Sequence, residues 1–110
     1  MAFKEYVFEL TETAESDIDD TYEYIAETLG NPYAAAALAD ELEVQIDKIC
    51  KRPETGRLVE NEYLKRNDVR RFLVKNYIAY YIVDDENEKI VILRFVYSGR
   101  DQAEIVKDFK

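Results

Sequence analysis

Histidine and tryptophan are absent from this 110-residue sequence, cysteine and methionine occur once each, and there are only three glycines and two prolines. Each scarcity excludes something. Without histidine there is no Ser-His-Asp triad, no Cys-His pair and no histidine metal site. The single cysteine, Cys50, cannot close an internal disulfide, and the chain opens with no charged, apolar, small-residue leader, so the cytoplasm is the expected compartment. No apolar run approaches the roughly 20 residues that span a bilayer, so no membrane partner is expected. No GxxxxGK[ST] or GxGxxG pattern offers a nucleotide-phosphate cradle. The acidic run "DDENE" lacks the glycine-centred loop of a calcium site and reads as a solvated turn. No cofactor and no metal are expected.

What remains is a chain that is 47% hydrophobic and 35% charged, the profile of one folded domain over residues 1–110. The net charge is −9 but unevenly spread, since residues 1–50 hold thirteen carboxylates against Lys4 and Lys48 alone. Between Lys51 and Lys75 the balance reverses, with eight cations and four acids. Two readings stand open: a basic face that meets phosphates or an acidic partner, and cations neutralised by carboxylates of the first half.

Periodicity supplies the elements. "FKEYVFEL" alternates Tyr6, Phe8 and Leu10 against Glu5 and Glu9, predicting a half-buried strand over residues 3–10. Thr11 is a helix N-cap, and Ala14, Ile18, Tyr22, Ile25 and Leu29 recur at helical spacing until Gly30 stops the helix. Asn31 and Pro32 start a second helix at once, with Ala35, Leu38, Ala39, Leu42, Ile46 and Ile49 on its apolar face and Pro53 beyond its end. Cys50, beside that face, reads as a buried structural thiol. The stretch "LVENEYLKRND" has no assignable pairing. "VRRFLVK", "YIAYYIV" and "KIVILRFVY" then predict three strands in a meander, the middle one buried on both faces, and "DQAEIVKDFK" predicts a short terminal helix. The expected fold is α+β: an N-terminal strand, an antiparallel helix hairpin, an antiparallel meander and a short C-terminal helix.

With so many chemistries excluded, arginine, lysine and tyrosine are left to act. RNA is cleaved without metal when its 2′-hydroxyl attacks the adjacent phosphate, if cations stabilise the phosphoryl oxygens and a side chain moves protons. Arg71, Arg94, Arg100 and Tyr97 are the candidates for such a site. Strand alternation puts Tyr97 with Phe95 and Leu93 and sets Arg94 opposite, so the four cannot share one face. Tyr97 as a strand-end core aromatic and Arg94 as half of an ion pair are the structural alternatives.

The run from Leu10 to Arg57, the arginine-bearing strand before "NYIAYYIV", the Pro53-x-x-Gly56-Arg57 element and the closing "YSGRD" resemble the RelE/ParE superfamily of type II toxin–antitoxin toxins. The resemblance implies a growth-arresting toxin neutralised by a cognate antitoxin, free or self-associated, or held in a larger assembly. It implies one of two targets: DNA gyrase, inhibited through protein contact, or the ribosome, where messenger RNA is cut. On the nuclease branch, Arg71 falls at a catalytic lysine position, Arg100 at a phosphate-binding arginine and Tyr97 at a terminal catalytic tyrosine. Ile78, Val106 and Val96 stand where other members carry arginine, tyrosine and histidine. Those replacements, the long hairpin and the Pro-x-x-Gly-Arg element incline the resemblance toward ParE. Arg57, Arg70 and Arg94 are then expected to contact substrate or antitoxin. A degenerate member that only binds antitoxin is a third reading.

Overall fold

The computed structural model describes residues 5–109, so Phe3 and Lys4 of the predicted first strand and Lys110 of the tail lie outside the described residues. Strand β1 (Val7–Leu10) leads into helix α1 (Glu12–Glu23), a π-helical turn over Tyr24–Thr28 and helix α2 (Pro32–Lys51). A 3₁₀ turn (Pro53–Thr55) and the two-residue strand β2 (Arg57–Leu58) precede β3 (Arg70–Val74), β4 (Tyr77–Asp84), β5 (Lys89–Tyr97) and helix α3 (Gln102–Val106).

The helix starts follow from local chemistry. Thr11 accepts a hydrogen bond from the Ala14 amide at 3.0 Å, and Asn31 accepts one from the Ala34 amide at 3.0 Å, with Pro32 in the first turn. Gly30 reverses the chain between the helices at φ +64°, a conformation that costs a side-chain-bearing residue about 1 kcal/mol or more. The first helix ends in a different way from that predicted. At Tyr24 the ladder widens, the Leu29 amide bonding the Tyr24 carbonyl at 2.9 Å, and the phase of the helix shifts. Ile25 stays in the core, whereas Leu29, expected on the buried stripe, is 58% exposed.

The sheet has the order β1-β5-β4-β3-β2. The meander β3-β4-β5 is antiparallel as predicted, but β1 joins β5 in parallel, so the sheet is mixed. As the outermost strand, β1 sends only Tyr6 and Leu10 of its predicted face against the core, and Phe8 remains half exposed. Arg57 of the Pro53-x-x-Gly56-Arg57 element and Leu58, the first residue of the stretch without an assignable pairing, form β2 on the far edge, with Arg57 opposite Arg71 and Leu58 opposite Arg70.

Both faces of the sheet are covered. The helix hairpin lies on one, packing Ile18, Leu38, Leu42 and Ile49 onto Phe72, Tyr81, Ile92 and Phe95. On the other, α3 and the segment around Val59 and Leu64 cover Val69, Ile78, Tyr80 and Val96. Strand β4 is therefore buried on both sides, as its unbroken apolar sequence predicts. Cys50 is buried within the helix-side core, and burial pushes its thiol above the ordinary cysteine value. That environment suits the structural reading of this residue.

Candidate functional site

A bulge in β5 fixes where the candidate residues go. Tyr80 pairs with Arg94 but Tyr81 pairs with Ile92, leaving Leu93 as the extra residue. The shift overturns the simple alternation. Leu93 packs against the α3-side core while Phe95 belongs to the helix-side core, so the two do not share a face.

Asp17 of α1 completes the bulge. Its carboxylate accepts from Arg94 Nε at 2.7 Å, from a second Arg94 guanidinium nitrogen at 3.2 Å and from the Phe95 amide at 3.0 Å. The two side chains are only 18% and 15% exposed. Arg94 is thus engaged inside the molecule, as the ion-pair alternative anticipates, and its two bonds to one carboxylate leave it poorly placed to meet a ligand. Arg70 is similarly engaged, donating to the Glu54 carbonyl at 3.2 Å and the Gly56 carbonyl at 2.7 Å.

The Pro53-x-x-Gly56-Arg57 element also has a physical account. The Tyr81 hydroxyl donates to the Pro53 carbonyl at 2.7 Å and accepts from the Gly56 amide at 2.9 Å. The phenol lies so close to Gly56 that a β-carbon there would collide with its ring. Glycine is needed for close approach, and the element anchors the chain between α2 and β2 onto β4.

The remaining candidates fall into two groups on opposite sides of the sheet. Tyr97 and Arg100 sit on the helix side, lining a groove of about 720 Å³ with Tyr24, Lys75 and Tyr77. Tyr97 meets Tyr77 edge-on at 5.8 Å, and Tyr77 stacks on Phe95 at 5.1 Å. Arg71 lies on the α3 side, in a pocket of about 430 Å³ shared with Arg57, Tyr80, Gln102 and Val106. There the Tyr80 hydroxyl donates to Gln102 Oε1 at 2.6 Å, and the Gln102 amide in turn donates to the Arg100 carbonyl at 2.9 Å. Burial pushes the Tyr80 phenol above its ordinary value, with Arg71 opposing, so at neutral pH it remains a donor. Ile78 and Val106 are buried apolar residues of this same side.

The structure therefore brings Tyr97 to Arg100 and Arg71 to Arg57, but does not bring Arg71 to Tyr97. Sequence reading overlooked Tyr80, Tyr81 and Gln102 because their roles depend on partners more than 20 residues away. Asp17 was missed as well. The only signal available was its place one residue before Ile18 on the buried stripe. Among the described residues, no group of histidine, cysteine, aspartate and glutamate is arranged to hold a metal ion. No helix there is long and apolar enough to cross a membrane.

A strand, a helix hairpin packed on a mixed five-stranded sheet and a short closing helix define an α+β toxin fold of the RelE/ParE type. It is shared with a chain of the chromosomal ParDE TA system from P. aeruginosa, at a TM-score of 0.66 and 20% identity, covering 86% of this chain and 97% of that one. A chain of the RelBE2 toxin–antitoxin complex from Mycobacterium tuberculosis is similar at a TM-score of 0.61 and 22% identity, covering 87% of this chain and 94% of that one. A chain of the intact E. coli RelBE complex is similar at 0.57 and 14% identity, covering 86% and 99% respectively. No curated protein matches the sequence. The family model described as "ParE toxin of type II toxin-antitoxin system, parDE" matches residues 8–102. The chain belongs to that family, and is a toxin of a type II toxin–antitoxin system.

Proposed function

We propose that this toxin, a single domain over residues 1–110, arrests growth by inhibiting DNA gyrase through protein contact and is silenced in the cytoplasm by a cognate antitoxin. The observation that carries the reading is that Tyr97 and Arg100 line one groove and Arg71 another, with Tyr97 on the helix side of the sheet and Arg71 on the α3 side. A metal-independent endoribonuclease needs its cations and its proton-transfer group around one phosphate, within hydrogen-bond reach of the reacting atoms. Tyr97 and Arg71, on opposite faces, do not meet that requirement together. The buried Ile78 and Val106 supply neither charge nor a proton at the positions where the resemblance would look for them. The antitoxin is supported by the relatives of the same fold, which are toxin–antitoxin complexes. Arg57 and Arg71, neither of which is held by an ion pair among the described residues, are the cations we assign to its recognition.

The test is pulse labelling of DNA and protein synthesis in bacteria within minutes of inducing the chain alone. DNA synthesis is expected to fail first, and a combined Arg71→Ala, Tyr97→Phe, Arg100→Ala variant is expected to arrest growth as the parent does. Failure of amino-acid incorporation first, with rescue by that variant, would instead establish the ribosome-dependent messenger nuclease. No arrest from a folded chain would establish the degenerate, antitoxin-binding reading.

A further inference from the structure

Arg57 and Arg71 stand directly opposite each other across β2 and β3. Like charges in that relation hold their β-carbons about 5 Å apart and destabilise the sheet. Lys89 pairs with Glu9, Arg94 with Asp17 and Lys51 with Asp47, while Arg52 and Lys75 also stand in no ion pair among the described residues; what sets Arg57 and Arg71 apart is that they face each other. Neither Arg57 nor Arg71 takes part in an ion pair or a side-chain hydrogen bond among the described residues. Glu60 lines the same pocket without pairing with either. A repulsive pair facing an open pocket is a site that gains when an anion arrives.

The surroundings select the kind of anion. Two guanidinium groups are few for a nucleic acid, whose affinity grows with each phosphate neutralised. Single-stranded RNA also needs an exposed aromatic face on which bases stack, and the pocket's one aromatic residue, Tyr80, is 1% exposed. Around the arginines the lining is mixed: Glu60, Asn61 and Gln102 are polar, Val106 is as buried as Tyr80, and Leu58, 45% exposed, is the apolar side chain open to a visitor. Strand β2 is the outermost on this side, so an extended chain reaches the pocket from an open edge. A carboxylate carried on an extended chain fits this combination, and the planar fork of arginine matches its two oxygens.

We propose that the Arg57–Arg71 pair is a carboxylate-binding site that receives an aspartate or glutamate side chain of an extended polypeptide segment. The proposal rests on the functional reading above only in naming an antitoxin as the protein that carries the segment. The overall charge of −9 does not oppose it, because at physiological salt charges beyond about 8 Å are largely screened and the two guanidinium groups dominate locally.

The experiment is a nuclear magnetic resonance titration of the full chain, following arginine Nε–H resonances, with an acetylated and amidated hexapeptide of alternating leucine and glutamate. The Arg57 and Arg71 signals are expected to move together, and the leucine–glutamine hexapeptide is expected to bind about tenfold more weakly. The double variant Arg57→Gln, Arg71→Gln should lose a similar factor, while Arg100→Gln, on the other face, should lose none. In the free chain, Arg57→Gln is expected to raise the melting temperature by about 1–3 °C because it removes the repulsion. That single change of an exposed side chain keeps the test available if the double variant does not fold. Equal affinity for the two hexapeptides, or no shift with either, would overturn the proposal. So would tighter binding of an oligouridylate at the same two resonances, which would make this a nucleic-acid site. Because the readout is binding in vitro, it stands or falls separately from the order in which DNA and protein synthesis stop in cells.

Discussion

Tyr80 and Tyr81 are chain neighbours on β4, both almost fully buried, yet they belong to opposite sides of the sheet that are built to different standards. On the helix side, Tyr81 ends in two backbone groups, the Pro53 carbonyl and the Gly56 amide, and is sealed by α2. On the α3 side, Tyr80 ends in one side chain, Gln102, at the margin of a pocket that holds two arginines without an ion pair among the described residues. The helix side invests its polar groups in closing the molecule. The α3 side leaves charge available to a visitor, under the lighter cover of the five-residue α3 and the segment around Val59 and Leu64.

Breaking the Asp17–Arg94 pair is expected to show the difference most strongly. Asp17→Ala leaves a largely buried guanidinium and the Phe95 amide without their acceptor and should cost about 3–4 kcal/mol of unfolding free energy. Urea denaturation measures this, and a loss below about 1 kcal/mol would mean that water replaces the carboxylate. Tyr81→Phe comes next. With the Gly56 amide and Pro53 carbonyl both orphaned, a cost of about 2–3 kcal/mol is expected by the same measurement. Tyr80→Phe should cost about 1 kcal/mol, since Gln102 can turn to solvent. Equal costs for the two phenylalanine variants would erase the contrast between the faces.

Alkaline pH supplies the finest test. Burial raises the phenols of Tyr77, Tyr80 and Tyr81 in the folded chain. The unfolded chain therefore releases these protons first, near pH 10, while the folded chain still holds them. Their contribution is fully present below that pH and is lost as pH rises through the folded-state values. Melting temperature should accordingly fall above pH 10, and a variant carrying Tyr80→Phe and Tyr81→Phe should fall less steeply from its own lower plateau. A decline that is unchanged in that variant would assign the effect to other groups.

Much of the molecule was legible in the sequence because the signals are local. Asn31-Pro32 following Gly30 marks where one helix stops and the next begins, and the arrangement is the one found. The unbroken apolar run from Tyr77 to Val83 announced a strand covered on both sides. Phase was harder to read. Leu29 was assigned to a buried stripe that the π turn at Tyr24 rotates out of reach, and Leu93 to a face that the β5 bulge takes away. Both failures have one cause: a single extra residue in a repeating pattern shifts every side chain beyond it, and hydrophobicity alone does not mark where it is inserted. The candidate site suffered similarly. Arg71, Tyr97 and Arg100 have suitable chemistry one by one, but their grouping depended on which face each strand presented.

Legible in the residues alone were the order of the first strand, the helix pair, the three-strand meander and the closing helix, the helix starts at Thr11 and Asn31 with the reversal at Gly30, the exclusion of histidine chemistry and the resemblance to a toxin family. Those properties reside in neighbouring residues and in the periods of three to four or of two. Tertiary structure alone decided that β1 runs parallel to β5, that Asp17 closes on Arg94 77 positions away, and that Arg57 faces Arg71 while Tyr97 looks the other way. Each of these is a pairing between distant segments whose register is set by the packing of the whole sheet, and no short stretch of chain carries that information.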